Sequence, residues 1–347
     1  MTKNVYLHIG HFKTGTTALQ TYLYGNRKRL THYNFAYPLI TRPPETVKQL
    51  ILRRGVTHIN HADLSLTLAR DHGLTPPAWY RCDLETDTVY QKLHEQIAKH
   101  RADNIIISSE EFIRISLVPQ AEDAISDLRN RLDRYNVKIL FYIREPFSLL
   151  KSWYNQINKS GKSTRTFPGF FMATRPQFLA QLRIHERFAK IFGEENLKVL
   201  TYKHSGSDHI REFLSTIDCK MPCGDAEKIV NKSSNPREVE STRLEGIAAT
   251  GRSELTVTTP PSLAKIATRI ENINRQYSKL ERITDILTPS RLTCENLFSH
   301  YAELLSYDAP DRVPNPQEKD NLIRFSRDAE DSSPQLARTL RGAARYC

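Results

Sequence analysis

Four short apolar runs, each dominated by β-branched or aromatic residues, limit what this 347-residue chain can fold into. They lie at 5–9, 104–108, 137–143 and 197–202, and each gives way to polar or glycine-bearing residues. Continuous runs of this kind suit strands buried on both faces of a parallel sheet. Helical patterning fills the intervals at 16–26, 88–100, 121–135 and 178–192. Strands alternating with helices imply an α/β fold, a parallel sheet flanked by helices on both faces. In such sheets a ligand lies beyond the carboxyl ends of the strands. The residues just after Ile9, Ile107, Ile143 and Leu200 are therefore where chemistry is to be sought.

The stretch at about 38–80 carries Pro43-Pro44, Pro76-Pro77, His58 and His61 and is expected to be a loop-rich insertion in a core spanning 1–230. Beyond it, 231–236 is turn-forming, and helical patterning resumes at 261–286 and 294–305. Residues 231–347 are expected to be a helical extension packed on the core rather than an independent domain. The formal net charge of +11 favours anionic partners without choosing among them. Five cysteines, only Cys219 and Cys223 close together, form no metal-ligand set, so free thiols and no metal are expected. The apolar start at 5–9 is too short for a signal-peptide core, and no run approaches a membrane span. A cytoplasmic protein is expected, with peripheral membrane association left open.

The segment Gly10-His-Phe-Lys-Thr-Gly-Thr-Thr17 joins the first strand to the first helix. Its glycines permit a tight turn and close approach of backbone to ligand. Amides from Thr14 to Thr17, with the helix amino terminus, can then face a phosphate. An ATP-type loop would place lysine directly after the second glycine. Here that position is Thr16, and the lysine, Lys13, precedes Gly15 by two. Arg144, at the end of the third long run, is a charge that needs a partner or a ligand. Pro146 then suits the start of a helix carrying Ser152.

The run from Leu7 through Gln20 resembles the 5′-phosphosulfate loop of sulfotransferases that use the activated-sulfate nucleotide PAPS. It is especially similar to the bacterial branch associated with carbohydrate sulfation. Arg144 followed eight residues later by Ser152 resembles the 3′-phosphate motif of the same family. The resemblance implies a sulfotransferase-like, P-loop-type α/β fold and sulfuryl transfer from PAPS to a hydroxyl, or less readily an amine, of an anionic or neutral carbohydrate. It implies that Lys13 stabilises the leaving phosphate. It also implies nucleotide contacts from His11, Phe12, Lys13, Thr14, Gly15, Thr16, Thr17, Arg144 and Ser152, with Tyr202 either near the nucleotide or in the core. Lys162 and Arg165 are weaker candidates.

An acceptor hydroxyl needs a base. Glu110, in the segment Ser108-Ser-Glu-Glu111, is favoured over His61, with Glu111 a third candidate on the opposite side of an extended chain. Two other classes stay open. One is a P-loop kinase or NTPase, supported by the glycine spacing and opposed by the lysine position. The other is a nucleic-acid-binding protein, supported only by net charge, whereas the basic residues are widely spread; no nucleic-acid partner is expected.

Overall fold

Each of the four apolar runs forms a strand in the computed structural model of the chain. The structure describes residues 2–42, 56–57, 59–80, 82–159, 165–203, 205–223, 235–250, 262–286, 291–307 and 316–347. The strands are β1 (Asn4–Gly10), β5 (Asn104–Ser108), β6 (Asn136–Ile143) and β7 (Leu197–Thr201). A two-residue strand, β2 (Phe35–Ala36), adds an edge, giving the order β2-β5-β1-β6-β7. All pairings in this sheet are parallel. Val5, Leu7, Ile105, Ile107, Ile139 and Phe141 are wholly buried. On one face Tyr6, Ile106, Leu140 and Tyr142 form a core with Leu19 and Leu23 of helix Thr16–Gly25 and with Ile210 and Phe213 of helix Gly206–Thr216.

The chain divides into two compact units. The first is Met1–Arg144 with Arg183–Asn231; the second is Glu145–Leu182 with Lys232–Cys347. The parallel sheet belongs to the first. There β1 lies between β5 and β6, so the loop after β1 leaves the sheet where its neighbours' connections diverge. That is the position at which an open α/β sheet offers a crevice.

The insertion at 38–80 holds more regular structure than its prolines suggest. Strands β3 (Thr41–Arg42) and β4 (Val56–Thr57) pair antiparallel, and Ala62–Asp71 is a helix. Its sequence, Ala-Asp-Leu-Ser-Leu-Thr-Leu-Ala, alternates polar and apolar residues. The helix forms because its polar side chains are satisfied inside it: Ser65 donates to the Ala62 carbonyl, Thr67 to the Asp63 carbonyl, and Tyr80 to the Asp63 carboxylate. His58 lies outside the described residues, as do Lys162 and most of the turn at 231–236. The expected helix at 178–192 is two helices, Pro176–Ala180 and Leu182–Phe192, separated at Gln181, whose φ is 44°. The break falls where the chain passes from the second unit to the first.

The described part of the second unit is helical. Phe167, Phe171, Leu297, Phe298 and Leu340 are among the residues of its core. Thr293 and Asn296 form a reciprocal capping box at the start of helix Cys294–Ser306. All five cysteines are free thiols. No described helix is long and apolar enough to cross a membrane.

Helix Pro146–Asn158 opens with the Glu145 carboxylate accepting from the amides of Phe147 and Ser148 at 2.7 and 2.8 Å. Glu145→Ala should cost about 1 kcal/mol, the usual loss of an N-cap, read as a lowered urea midpoint.

Candidate functional site

The loop after β1 is built from residues in left-handed backbone. Gly10, Lys13 and Gly15 have φ of 69°, 63° and 77°. The pairing of β1 with β6 shifts register between His8 and Gly10, so the turn begins inside the sheet. Within the loop, the Thr14 hydroxyl accepts from the His11 amide and donates to the His11 carbonyl. The His11 ring donates from Nδ1 to the Phe12 carbonyl. These internal bonds bury His11 and Thr14. Gly15 ends the loop as the N-cap of helix Thr16–Gly25, which has neither a side-chain cap nor an acidic residue in its first turn. Its leading amides lack that compensation and suit an anion. The hydroxyls of Thr16, largely buried, and Thr17, exposed, stand at this end.

Close packing fixes the loop from beneath. A Cβ on Gly15 would lie 3.0 Å from His209 Nε2 and 3.3 Å from the Tyr202 ring. A Cβ on Gly10 would lie 2.9 Å from Glu110 Cβ. Arg144, following β6, stacks its guanidinium 4.4 Å from the Tyr202 ring centroid and donates to the Lys13 carbonyl at 2.7 Å. Arg144, expected to serve the nucleotide, and Tyr202, expected near the nucleotide or in the core, are thus brought to the loop after β1.

On the β5 side the three base candidates separate. Glu110 is half-buried, and its carboxylate accepts from Gln20 at 2.9 Å. Glu110 and Glu111 do not sit on an extended chain: they open a 3₁₀ helix, Glu110–Leu117, and so diverge by about a third of a turn. Ser109 caps that helix by accepting from the Glu111 amide. Glu111 is buried and paired with Arg114, whose guanidinium also lies 5.0 Å from the Phe12 ring centroid. Burial raises the Glu111 carboxyl above its ordinary range, while Arg114 pulls it down.

His61 is enclosed within the first unit. It is 1% exposed; its Nδ1 accepts from the Ser108 amide at 3.1 Å and its Nε2 donates to the Pro38 carbonyl at 2.7 Å. Both nitrogens are engaged by backbone. Burial lowers its pKa to about 4, against a smaller opposing effect of the backbone bonds. His61 ties β5 to the insertion.

Ser152 lies on helix Pro146–Asn158, in the second unit. Lys162 lies outside the described residues, and Arg165 is exposed. Gln20, Arg114 and His209 were not singled out in the sequence. Gln20 and His209 carried a signal, each being a polar residue within an apolar helix stripe: Leu19, Tyr22 and Leu23 for Gln20, Ile210, Phe213 and Leu214 for His209. A cavity of about 410 Å³, lined in part by Asn136, Val137 and Asn196, opens at the amino ends of β6 and β7. That is the wrong end of the sheet for the expected chemistry.

No family model matches the sequence. No curated protein matches it either. Among solved structures, the crystal structure of a sulfotransferase from Alicyclobacillus acidocaldarius is similar at 15% identity, with a TM-score of 0.40, over 82% of this chain and 96% of that one.

Two outcomes follow from this geometry. Gly15→Ala should destabilise the chain by about 1–2 kcal/mol, because it combines a left-handed φ with a collision in the loop's floor; a lowered urea midpoint checks it. For His61, the folded pKa of about 4 lies below the unfolded value of about 6.5. The unfolded state therefore binds more protons between these values, and stability falls as pH drops from about 6.5 to 4. The shift corresponds to about 3 kcal/mol. His61→Gln should lower stability at pH 7 and flatten this acid limb, measured by urea unfolding at a series of pH values.

Proposed function

We propose that the chain transfers a sulfuryl group from PAPS to a hydroxyl of a carbohydrate acceptor, releasing adenosine 3′,5′-bisphosphate. The observation that carries this reading is the placement of Lys13. It sits two residues before Gly15, in left-handed backbone, with its carbonyl held by Arg144. The side chain issues from the turn of the loop, where the ATP-type pattern would instead place lysine on the first turn of the helix. The residues fit a bound phosphate: two glycines leave no room for a Cβ, and the helix start beyond them has no side-chain cap.

When bound, the nucleotide supplies an activated S–O bond. The chain's residues supply position and charge. Lys13, with the amides and hydroxyls of Thr16 and Thr17, holds the 5′-phosphate and offsets the charge that grows there as that bond breaks. Arg144 faces the 3′-phosphate. Glu110, oriented by Gln20, takes the proton of the attacking hydroxyl. The surplus of positive charge suits an anionic saccharide.

The purified protein should bind adenosine 3′,5′-bisphosphate roughly tenfold or more tightly than ADP, since the 3′-phosphate adds charge-assisted hydrogen bonds. It should release the bisphosphate from PAPS when a suitable acceptor is present in a panel of anionic and neutral oligosaccharides. Lys13→Ala should lower turnover by about 10²–10³. Glu110→Gln should lower it by about 10²–10⁴ while bisphosphate affinity stays within about threefold. Preference for ADP would overturn the nucleotide assignment, and full turnover in Glu110→Gln would remove that residue as base.

A further inference from the structure

His209 is 1% exposed, on helix Gly206–Thr216, and neither of its ring nitrogens has a hydrogen-bond partner among the described residues. A buried polar group of this kind calls for an explanation. Its position supplies one: Nε2 lies 3.0 Å from where a Gly15 Cβ would be, directly beneath the last residue of the phosphate loop. We propose that His209 is a positioning residue of this loop, neutral when the loop is empty and protonated when a phosphate occupies it. The inference rests on the reading of the loop as a phosphate site, and it adds a residue that acts through the loop rather than on the substrate.

The surroundings disfavour a charge on the empty protein. Tyr142 of β6 packs against the imidazole at 4.4 Å between ring centroids, and Tyr202, following β7, at 5.9 Å. His8 of β1 is also wholly buried, and its nearness to His209 holds its own protonation down. Lys203 adds a positive charge, partly answered by the carboxylate of Glu212, which lies on the same helix as His209 and 3.5 Å from the Lys203 ammonium. Arg144 lies beyond the Tyr202 ring, and Lys13 is tied to Arg144 through its carbonyl. Burial, and then Lys203, lowers the His209 pKa to about 4. A phosphate on the far side of Gly15 reverses this balance. Its negative charge acts across one residue of backbone in a poorly screened interior, and favours the imidazolium. The proton comes from solvent or buffer and forms an N–H bond at the free ring nitrogen; no other covalent bond changes.

The test is calorimetric titration of the full chain with adenosine 3′,5′-bisphosphate in two buffers of different ionisation enthalpy. At pH 7.5 both phosphates are largely ionised, having second pKa values near 6. The parent should take up a fraction of a proton on binding. His209→Gln should lose that uptake, and its affinity should fall roughly tenfold more at pH 6 than at pH 8. Lys203→Gln, a change at a half-exposed position, should retain uptake and move its midpoint to higher pH. ¹⁵N shifts of the His209 ring in the parent report the same protonation without substitution. Binding with no uptake in the parent, or with equal uptake in His209→Gln, overturns the inference and leaves the sulfotransferase reading intact. Failure of the bisphosphate to bind, with ATP binding and proton uptake retained, overturns that reading and leaves the inference. Binding of neither overturns both.

Discussion

The bond from Arg144 to the Lys13 carbonyl holds the conformation on which the site depends. A non-glycine residue with positive φ costs on the order of 1–2 kcal/mol and persists only when its surroundings require it. Lys13 is so placed, between two glycines that turn the same way. Arg144 fixes it from the end of the adjacent strand, and the Tyr202 ring supports the guanidinium. Parallel pairing of β1, β6 and β7 brings these three residues to one end of the sheet. The loop is therefore a product of sheet order as much as of its own glycines.

The legible parts of the sequence were those governed by continuous burial. Strands covered on both faces read as unbroken apolar runs, and all four were visible with bounds within one residue of those observed. Strand β2 was not, because two residues carry no periodicity. Helix Ala62–Asp71 was hidden for a different reason: its internal hydrogen bonds allow polar side chains to be buried, which imitates the alternation of a strand. The break at Gln181 lies in a stretch of good helix formers, so it belongs to tertiary structure and not to local preference.

The same distinction governs the site. Glycine spacing and the displaced lysine were legible because backbone geometry restricts residue choice. Histidine roles were not, because a histidine's chemistry depends on what surrounds it. His61 was a second candidate base after Glu110 on its ordinary pKa; its burial and its two backbone partners, which tie β5 to the insertion, were not legible. His209 drew no attention in the sequence, yet it packs against the loop. Composition reveals a titratable group but not its solvation.

The two adjacent carboxylates show how one turn divides labour between neighbours. Were β5 to continue beyond Ser109, Glu110 and Glu111 would face opposite sides of the sheet. The Ser109 cap instead starts a 3₁₀ helix at once, so the side chains diverge by about 120°. Glu111 turns inward, where its burial is compensated by Arg114, and Arg114 in turn packs against Phe12 of the loop. Glu110 stays at the rim, its Cβ against Gly10 and its carboxylate touched by the neutral amide of Gln20. The buried carboxylate has the cation and the rim carboxylate has the neutral amide, so one turn gives adjacent acids opposite surroundings.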